Sequence, residues 1–232
     1  MEFSVAGTYT ELQVEDAFDV TVSDMVDRIT VTAGDQIMPR VVVDKDGDKL
    51  VIRLKPLTNT RGSALKVLLP YNPDLRKVEL SGSSDFHSPF PLTGRKVELD
   101  ISGASDFYGD IDADEIEMDL SGASNIRGFV NAVELDIALS GASDATLEGM
   151  VSSLELDLSG SSNIARKVVG NSYSIACDRC KGSLSGSSNA YIHCETSIKA
   201  SISGGSNLHY TGNAATGGSS TSGGSNIIHD VL

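Results

Sequence analysis

The sequence predicts an all-β fold: a single-stranded right-handed parallel β-helix of about eight coils of ~19 residues, with an N-terminal β-rich portion that caps it. Three observations support this prediction. One pentapeptide recurs along most of the chain, apolar and polar residues alternate before each copy, and helix-forming stretches are missing. The 232 residues, 40% of them hydrophobic, are enough to form a sizeable core.

The repeated pentapeptide is Ser-Gly-(Ser/Ala/Gly)-Ser-(Asp/Asn), and it occurs eight times at spacings of 18 to 26 residues, most often 19. We call its glycines the motif glycines, and they are Gly82, Gly103, Gly122, Gly141, Gly160, Gly186, Gly204 and Gly223. We expect each glycine to adopt a positive φ or to let neighbouring chains approach closely. We expect the hydroxyls of the flanking serines to form hydrogen bonds with backbone groups of the turn. We expect the side chains of the final Asp or Asn to stack from one coil to the next.

The residues two, four and six positions before each motif glycine are mostly apolar, and those between them are mostly charged. Leu120, Leu139 and Leu158, for example, each precede a motif glycine by two positions. This period of two is typical of a strand with one buried face. Because one repeat of this size cannot bury its own apolar face, we predict that successive coils stack with like residues in columns. The general handedness of parallel crossovers makes the predicted helix right-handed.

Residues 1–75 lack the pentapeptide but still alternate as strands do, so we predict that they cover one end of the column. Residues 76–232 form the repeat region, and both parts belong to one continuous domain. At the other end, Gly217, Ser219 and Thr221 replace the apolar column of the last coil. We expect this coil either to fray or to contact another subunit, which would make the protein a homo-oligomer.

Acidic residues three and five positions before the motif glycines are predicted to share one outward face over four successive coils. The seven residues are Glu98, Asp100, Glu117, Asp119, Asp136, Glu155 and Asp157. Two such charges about 5 Å apart repel by roughly 0.8 kcal/mol in bulk water. One interpretation is a calcium site, since that ion prefers hard oxygen ligands, or a surface for a cationic partner. The other interpretation is a solvated face that protects the sheet.

The three cysteines are too few for a disulfide scaffold. A zinc site could be drawn from Cys177, Cys180, Cys194 and His193. Cys180, however, falls on the inward column, and the chain has no second C-x-x-C pair. The pattern favours buried thiols, or one local disulfide in an oxidising compartment, over metal or redox chemistry.

Composition and motif context exclude several other classes. The net charge of −14 argues against binding to nucleic acid or anionic lipid. No apolar run is long enough for a membrane span. Eight copies of a serine motif without a companion histidine column do not form a nucleophilic site. We therefore predict no catalytic residue, and no cofactor other than calcium.

The histidines and aromatic residues give weaker signals. The histidines follow motifs at different offsets and are predicted to lie in surface turns; they are His87, His193, His209 and His229. Aromatic residues after the motifs are candidate platforms for sugar, namely Tyr108, Tyr191, Phe129 and Tyr210.

The stretch from Ala6 to Ser84, followed by the Ser-Gly-x-Ser-Asp/Asn copies, resembles the "putative auto-transporter adhesin, head GIN domain" family, which is common in Bacteroidetes. The resemblance implies a β-helical protein that is periplasmic, anchored to the outer membrane or extracellular. The chain shows no export signal, and we expect that one has been removed.

These observations favour a non-catalytic envelope or surface protein, an adhesin whose partner is a glycan or another envelope protein. One alternative is a carbohydrate-active enzyme of the pectin-lyase type, for which Arg95 and Arg127 are the nearest cationic candidates. A second alternative is a structural protein that oligomerises through its C-terminal coil.

Overall fold

The computed structural model describes residues 1–4, 7–56, 64–170 and 172–231, with the backbone alone at residue 168. Within these ranges the chain is all-β, as predicted: no α-helix is present, and one 3₁₀ turn spans Met38–Arg40. None of these residues belongs to a helix long and apolar enough to cross a membrane.

The strands in the described ranges follow one another closely along the chain. They are β1 (Glu2–Phe3), β2 (Glu11–Val14), β3 (Phe18–Ser23), β4 (Ile29–Thr32), β5 (Val41–Asp46), β6 (Lys49–Leu54), β7 (Leu65–Pro70), β8 (Lys77–Leu80), β9 (Asp85–His87), β10 (Leu92–Ile101), β11 (Asp106–Tyr108), β12 (Ile111–Leu120), β13 (Asn125–Leu139), β14 (Asp144–Leu158), β15 (Asn163–Ile164), β16 (Val168–Val169), β17 (Ser172–Tyr173), β18 (Ile175–Leu184), β19 (Asn189–Ile202), β20 (Asn207–Thr211), β21 (Ser220–Thr221) and β22 (Asn226–His229).

The repeats form two parallel ladders, one on each side of the pentapeptide. The pre-motif ladder pairs β8, β10, β12, β13, β14, β18, β19 and β21 in that order. The post-motif ladder pairs β9, β11, β13, β14, β15, β19, β20 and β22. Long strands such as β13 begin in the post-motif ladder and end in the pre-motif ladder of the next repeat. The sheet as a whole is mixed, because β1, β4 and β5 pair antiparallel at its N-terminal end.

The register of the pre-motif ladder confirms the predicted apolar columns. Leu139 pairs with Leu120 on one side and with Leu158 on the other, and all three side chains are buried. In the post-motif ladder, Phe86 and Phe107 are aligned, and their ring centroids lie 5.3 Å apart. The apolar side chains of each repeat are thus buried against the apolar side chains of the repeats on either side.

The pentapeptide forms the corner between the two ladders, and the motif glycines stack there with φ between 70° and 82°. The N–H of Ala142 donates to the carbonyl oxygen of Gly122 at 2.7 Å, and the other corners repeat this bond. A Cβ on Gly141 would lie 2.5 Å from the Gly122 carbonyl oxygen. Both the left-handed backbone and the close stacking therefore require glycine.

The inner serine of each pentapeptide is buried rather than solvated. The Ser143 hydroxyl donates to the Ser140 carbonyl at 2.9 Å, and Ser124, Ser162 and Ser188 make the same bond. These hydroxyls satisfy turn carbonyls inside the column, as expected for a structural motif.

The N-terminal strands extend both ladders, but not in chain order. Strand β2 pairs in parallel with β8 on one side and β6 on the other, and β3 lies in the same way between β9 and β7. The segment before the first pentapeptide therefore continues the apolar columns, while its antiparallel strands lie at the outer edge. The division between residues 1–75 and 76–232 stays a prediction.

Candidate functional site

The structure places all seven predicted acidic residues on the pre-motif ladder, on the outward side of the strands. Glu98, Glu117, Asp136 and Glu155 follow one another in register and form the outer acidic column. Asp100, Asp119 and Asp157 form the inner acidic column, which Ala138 interrupts. Neighbouring carboxylates in a column are separated by one strand spacing, about 4.8 Å at the backbone.

Lysines neutralise the N-terminal half of this face by reaching from one repeat to the next. The Lys77 ammonium lies 2.8 Å from Asp100 and 3.3 Å from Glu98. The Lys96 ammonium lies 2.7 Å from Glu117 and 3.1 Å from Glu98. The hydrogen bond from Lys96, followed by that from Lys77, lowers the pKa of the Glu98 carboxyl below its ordinary value.

In the C-terminal half of the face, Lys181 is aligned with Glu155 and Lys199 follows Lys181 in the same column, without the ion pairs that Lys77 and Lys96 make. Among the described residues, no ion pair within 4.0 Å involves Asp119, Asp136, Glu155 or Asp157, which we call the unpaired carboxylates. Burial raises the pKa of Asp119, and the charges of Asp100 and Glu117 add to this effect. Burial, followed by the charges of Glu155 and Glu117, likewise raises the pKa of Asp136, so both aspartates are repelled by neighbouring carboxylates.

A groove of about 400 Å³ runs along the inner acidic column. Carboxylates and the serines that precede motif glycines contribute most of its polar lining. The lining includes Glu79, Asp100, Asp119, Ser81, Ser102 and Ser121. All these groups offer oxygen atoms, so the chemistry of the groove suits a cation or a donor of several hydrogen bonds.

The calcium prediction for the seven acidic residues stays a prediction. Within the described ranges, no group of three or more His, Cys, Asp or Glu side chains is arranged to hold a metal ion. The carboxylates are spread along the ladder instead of converging on one point.

The two arginines considered for an enzymatic site lie apart from the acidic columns. The guanidinium of Arg127 lies 5.9 Å from the centroid of the Tyr108 ring on the post-motif ladder. Arg95 is exposed on β10, and its neighbour Lys96 makes the contacts to the acidic face. Among the described residues, neither Arg95 nor Arg127 forms an ion pair with the predicted carboxylates within 4.0 Å.

The prediction for the histidines was wrong, because all four lie in strands. His87 and His209 both follow a motif glycine by five positions and so share one column of the post-motif ladder. His87 stacks on Tyr108, and Tyr191 stacks on His209, with ring centroids 4.6 Å apart in both pairs. Counting positions from each motif glycine would have found this column in the sequence.

The same stacking argues against open aromatic platforms for sugar. A sugar binds to a free ring face, whereas the stacked rings cover one face of each other. Tyr210 is buried and stacks on His229, with centroids 4.8 Å apart. Phe129 remains exposed.

A polar cluster that the sequence did not reveal ties the insertion in the longest repeat to the last strand. The Tyr173 hydroxyl at the end of the β16–β17 hairpin donates to Asp230 just after β22. Nδ1 of His209 lies 3.0 Å from the same carboxylate oxygen. Burial, followed by the hydrogen bond to Asp230, raises the pKa of Tyr173 to about 12.

The cysteines are all buried free thiols, in line with the preferred interpretation. His193 does not face them. Its Nδ1 lies 3.0 Å from the Thr211 hydroxyl and its Nε2 lies 2.9 Å from Glu195. Both ring nitrogens therefore have other partners, and the zinc site of three thiols and His193 is not assembled.

Comparison with known proteins identifies the family. The model described as "Putative auto-transporter adhesin, head GIN domain" matches residues 8–129 and 120–214. The chain belongs to this family. No curated protein matches it in sequence.

Solved structures share the fold of this family member. A "putative adhesin" from Parabacteroides merdae superposes with a TM-score of 0.86 at 17% identity, covering 99% of this chain and 95% of the other. A "Putative lipid binding protein" from Parabacteroides distasonis gives a TM-score of 0.85 at 18% identity, with coverages of 99% and 95%. A "putative adhesin" from the same species gives 0.79 at 20% identity, with coverages of 100% and 93%. At these identities the similarity concerns the fold alone.

Proposed function

We propose that the chain is a non-catalytic binding protein of the bacterial cell envelope or surface, and that its acidic face binds a basic segment of another protein. Membership of the adhesin family supports the general role. The descriptions of two of the similar folds as adhesins agree with it. The geometry of the acidic columns supports the choice of surface and of partner charge.

We also propose that the two ladders of the protein form a right-handed parallel β-helix. The two parallel ladders and the corner of stacked motif glycines support it, and the handedness follows from the general preference for right-handed crossovers. Such a column presents outward positions of successive repeats as straight rows. A row of this kind suits an extended partner that follows the column axis.

The observation that carries the proposal is the contrast between the two halves of the acidic face. Lys77 and Lys96 neutralise the first half, as their distances to Asp100 and Glu117 show. Among the described residues, the unpaired carboxylates continue the same columns without an ion pair within 4.0 Å, although Lys181 is aligned with Glu155 at the end of the outer column. Bringing lysine or arginine side chains of a partner next to them would replace carboxylate repulsion by attraction, as Lys77 and Lys96 do within the chain.

Binding of poly-lysine at physiological ionic strength, measured by calorimetry, tests the proposal. A triple variant Asp119→Asn, Asp136→Asn, Asp157→Asn removes three unpaired charges, and we expect its affinity to fall about tenfold or more. The matched control Glu79→Gln, Glu98→Gln, Asp100→Asn removes three lysine-paired charges from the same columns. We expect the affinity of the control for poly-lysine to fall less than about threefold. Circular dichroism checks that both variants are folded.

An equal loss in both variants would contradict the proposed surface, because it would mean that only net charge matters. A separate melting experiment with calcium and with EDTA addresses the calcium prediction. A melting temperature that rises with calcium in the wild type, but not in the triple variant, would replace the basic segment by the metal as ligand.

A further inference from the structure

Two of the three thiols belong to adjacent repeats and lie next to each other. Cys177 on β18 pairs in register with Cys194 on β19. Adjacent strands place such Cα atoms about 4.8 Å apart, which is within the range of 4.4–6.8 Å that disulfides require. Side chains in register on parallel strands point to the same side of the sheet. Both side chains are buried, with exposed fractions of 4% and 0%.

The backbone around the pair holds the two sulfur atoms. The Cys177 sulfur lies 3.5 Å from the His193 carbonyl oxygen, and the Cys194 sulfur lies 3.5 Å from that of Asp178. Each thiol thus contacts the strand of the other. The pairing is irregular immediately after Cys177, between that residue and Arg179.

The third thiol is not aligned with either of the other two. Cys180 pairs with Leu154 and Ile198, two apolar residues of the inward column. It follows Cys177 by three positions on the same strand, which corresponds to about 10 Å in extended backbone. That separation exceeds the reach of a disulfide.

A surface groove of about 370 Å³ reaches one member of the pair. Cys177 contributes to its lining, together with Met150, Asp178, His193 and Glu195. A small oxidant in this groove would lie next to Cys177, and Cys194 is aligned with Cys177 on the neighbouring strand.

We propose that Cys177 and Cys194 form a reversible disulfide that links two adjacent repeats, and that Cys180 stays a free thiol. In this step both S–H bonds break and one S–S bond forms. Two electrons and two protons pass to an oxidant such as a small-molecule disulfide, which is reduced to two thiols. The proposal concerns a modification site and does not depend on the proposed binding function.

The electrostatics of the pair agree with this geometry. The interaction between the two thiols lowers the pKa of Cys194 and raises that of Cys177. Backbone N–H groups of Thr196 and Ser197 lower the pKa of Cys194 further. Of the two thiols, Cys194 therefore ionises more readily.

Trypsin separates the three cysteines, because Arg179 and Lys181 lie between them, and this makes the test direct. The folded protein is treated with diamide, which accepts two electrons and two protons, and the remaining thiols are alkylated and counted by mass. We expect the count to fall from three to one, and to return to three with dithiothreitol. The linked peptides should be 168–179 and 182–199.

Single variants provide the matched controls. Cys180→Ser should still form the link, whereas Cys177→Ser should not, and circular dichroism checks that both are folded. Three free thiols in the wild type after diamide treatment would overturn the proposal, and so would a link between the peptides that contain Cys177 and Cys180. Because the wild-type result alone decides, a variant that fails to fold leaves the test intact.

Discussion

Asp16 occupies the position of a motif glycine beneath Gly82. Its carbonyl oxygen accepts a hydrogen bond from the N–H of Ser83 at 2.7 Å, which is the bond that links every later corner to the one before it. Its φ is 74°, and it is the one residue other than glycine with a positive φ in the described ranges. Its carboxylate also accepts a hydrogen bond from the Leu54 N–H at 2.7 Å. The stack of motif glycines thus begins with an aspartate, and the carboxylate of this aspartate also accepts a hydrogen bond from the last residue of β6.

Replacing Asp16 separates its two roles. Asp16→Asn keeps an oxygen acceptor and tolerates the left-handed backbone, so we expect a change in unfolding free energy of less than about 0.5 kcal/mol. Asp16→Ala loses the bond to Leu54 and fits the backbone less well, so we expect a loss of about 2 kcal/mol. Urea unfolding measures both. Equal stability of the two variants would contradict this account of the corner.

The stacking of the motif glycines predicts an unusually large effect of a single methyl group. Gly141→Ala combines a φ of 75° with a Cβ 2.5 Å from the Gly122 carbonyl oxygen. We expect this variant to lose about 3 kcal/mol or more of unfolding free energy. Gly47→Ala is the matched control, since its φ is 61° but its Cβ would have open space. We expect Gly47→Ala to lose about 1 kcal/mol of unfolding free energy. A similar loss in both would mean that backbone strain, not the close stacking, demands glycine.

The asparagine side chains after the motif form a ladder of hydrogen bonds, which predicts a pH-dependent variant. The Asn163 amide donates to Asp144 at 2.8 Å, and its oxygen accepts from Asn189 at 3.1 Å. Asn163→Asp removes the donor and sets two carboxylates side by side, so their pKa values rise on folding. Stability should then be near normal at acid pH and fall as pH rises, by about 1–2 kcal/mol at neutrality.

The control for this effect is Asn226→Asp at the end of the same ladder. Asn226 donates to Asn207 at 3.0 Å, so the substitution loses a similar bond without facing a carboxylate. We expect little pH dependence in the control. Thermal unfolding between pH 3 and pH 8 measures both variants, and parallel pH profiles would rule out the side-by-side carboxylates as the cause.

Neutralising Asp136 and neutralising Glu98, two carboxylates of the acidic face, should have opposite effects on stability. Burial, followed by the charges of Glu155 and Glu117, raises the pKa of Asp136 on folding. Its ionisation therefore lowers stability as pH rises through that pKa. Asp136→Asn should raise the melting temperature by about 1–2 °C at pH 7 and low salt. The gain should vanish in acid, where the carboxyl is protonated in both states.

Glu98→Gln should act in the opposite direction, because Lys96 and Lys77 lower the pKa of Glu98. That stabilisation is present above the ordinary pKa of a glutamate and is lost as pH falls through the lowered value. We expect a small decrease in melting temperature at pH 7, measured by calorimetry, which high salt reduces. A decrease for Asp136→Asn as well would contradict the division of the face into paired and unpaired halves.

Column positions were the part of the site that the sequence could predict. Fixed spacing from a motif glycine places Leu139 between Leu120 and Leu158, and the same rule places Glu117 next to Asp136. The reach of a long side chain is not fixed by such spacing. Whether Lys96 contacts Glu117 depends on the distance and direction of the neighbouring strand, and the ion pair is visible only in the tertiary structure.

The alternation and the pentapeptide alone determined the all-β fold, the buried columns and the acidic rows, because a strict sequence repeat makes the repeats nearly equivalent. The tertiary structure decided what breaks that equivalence. It inserted β2 and β3 between β6–β7 and β8–β9, set Asp16 under Gly82, and brought Cys177 next to Cys194. These contacts join segments with no shared motif, so only the packing of the whole chain, which must pair each exposed strand edge and cover each apolar end, selects them.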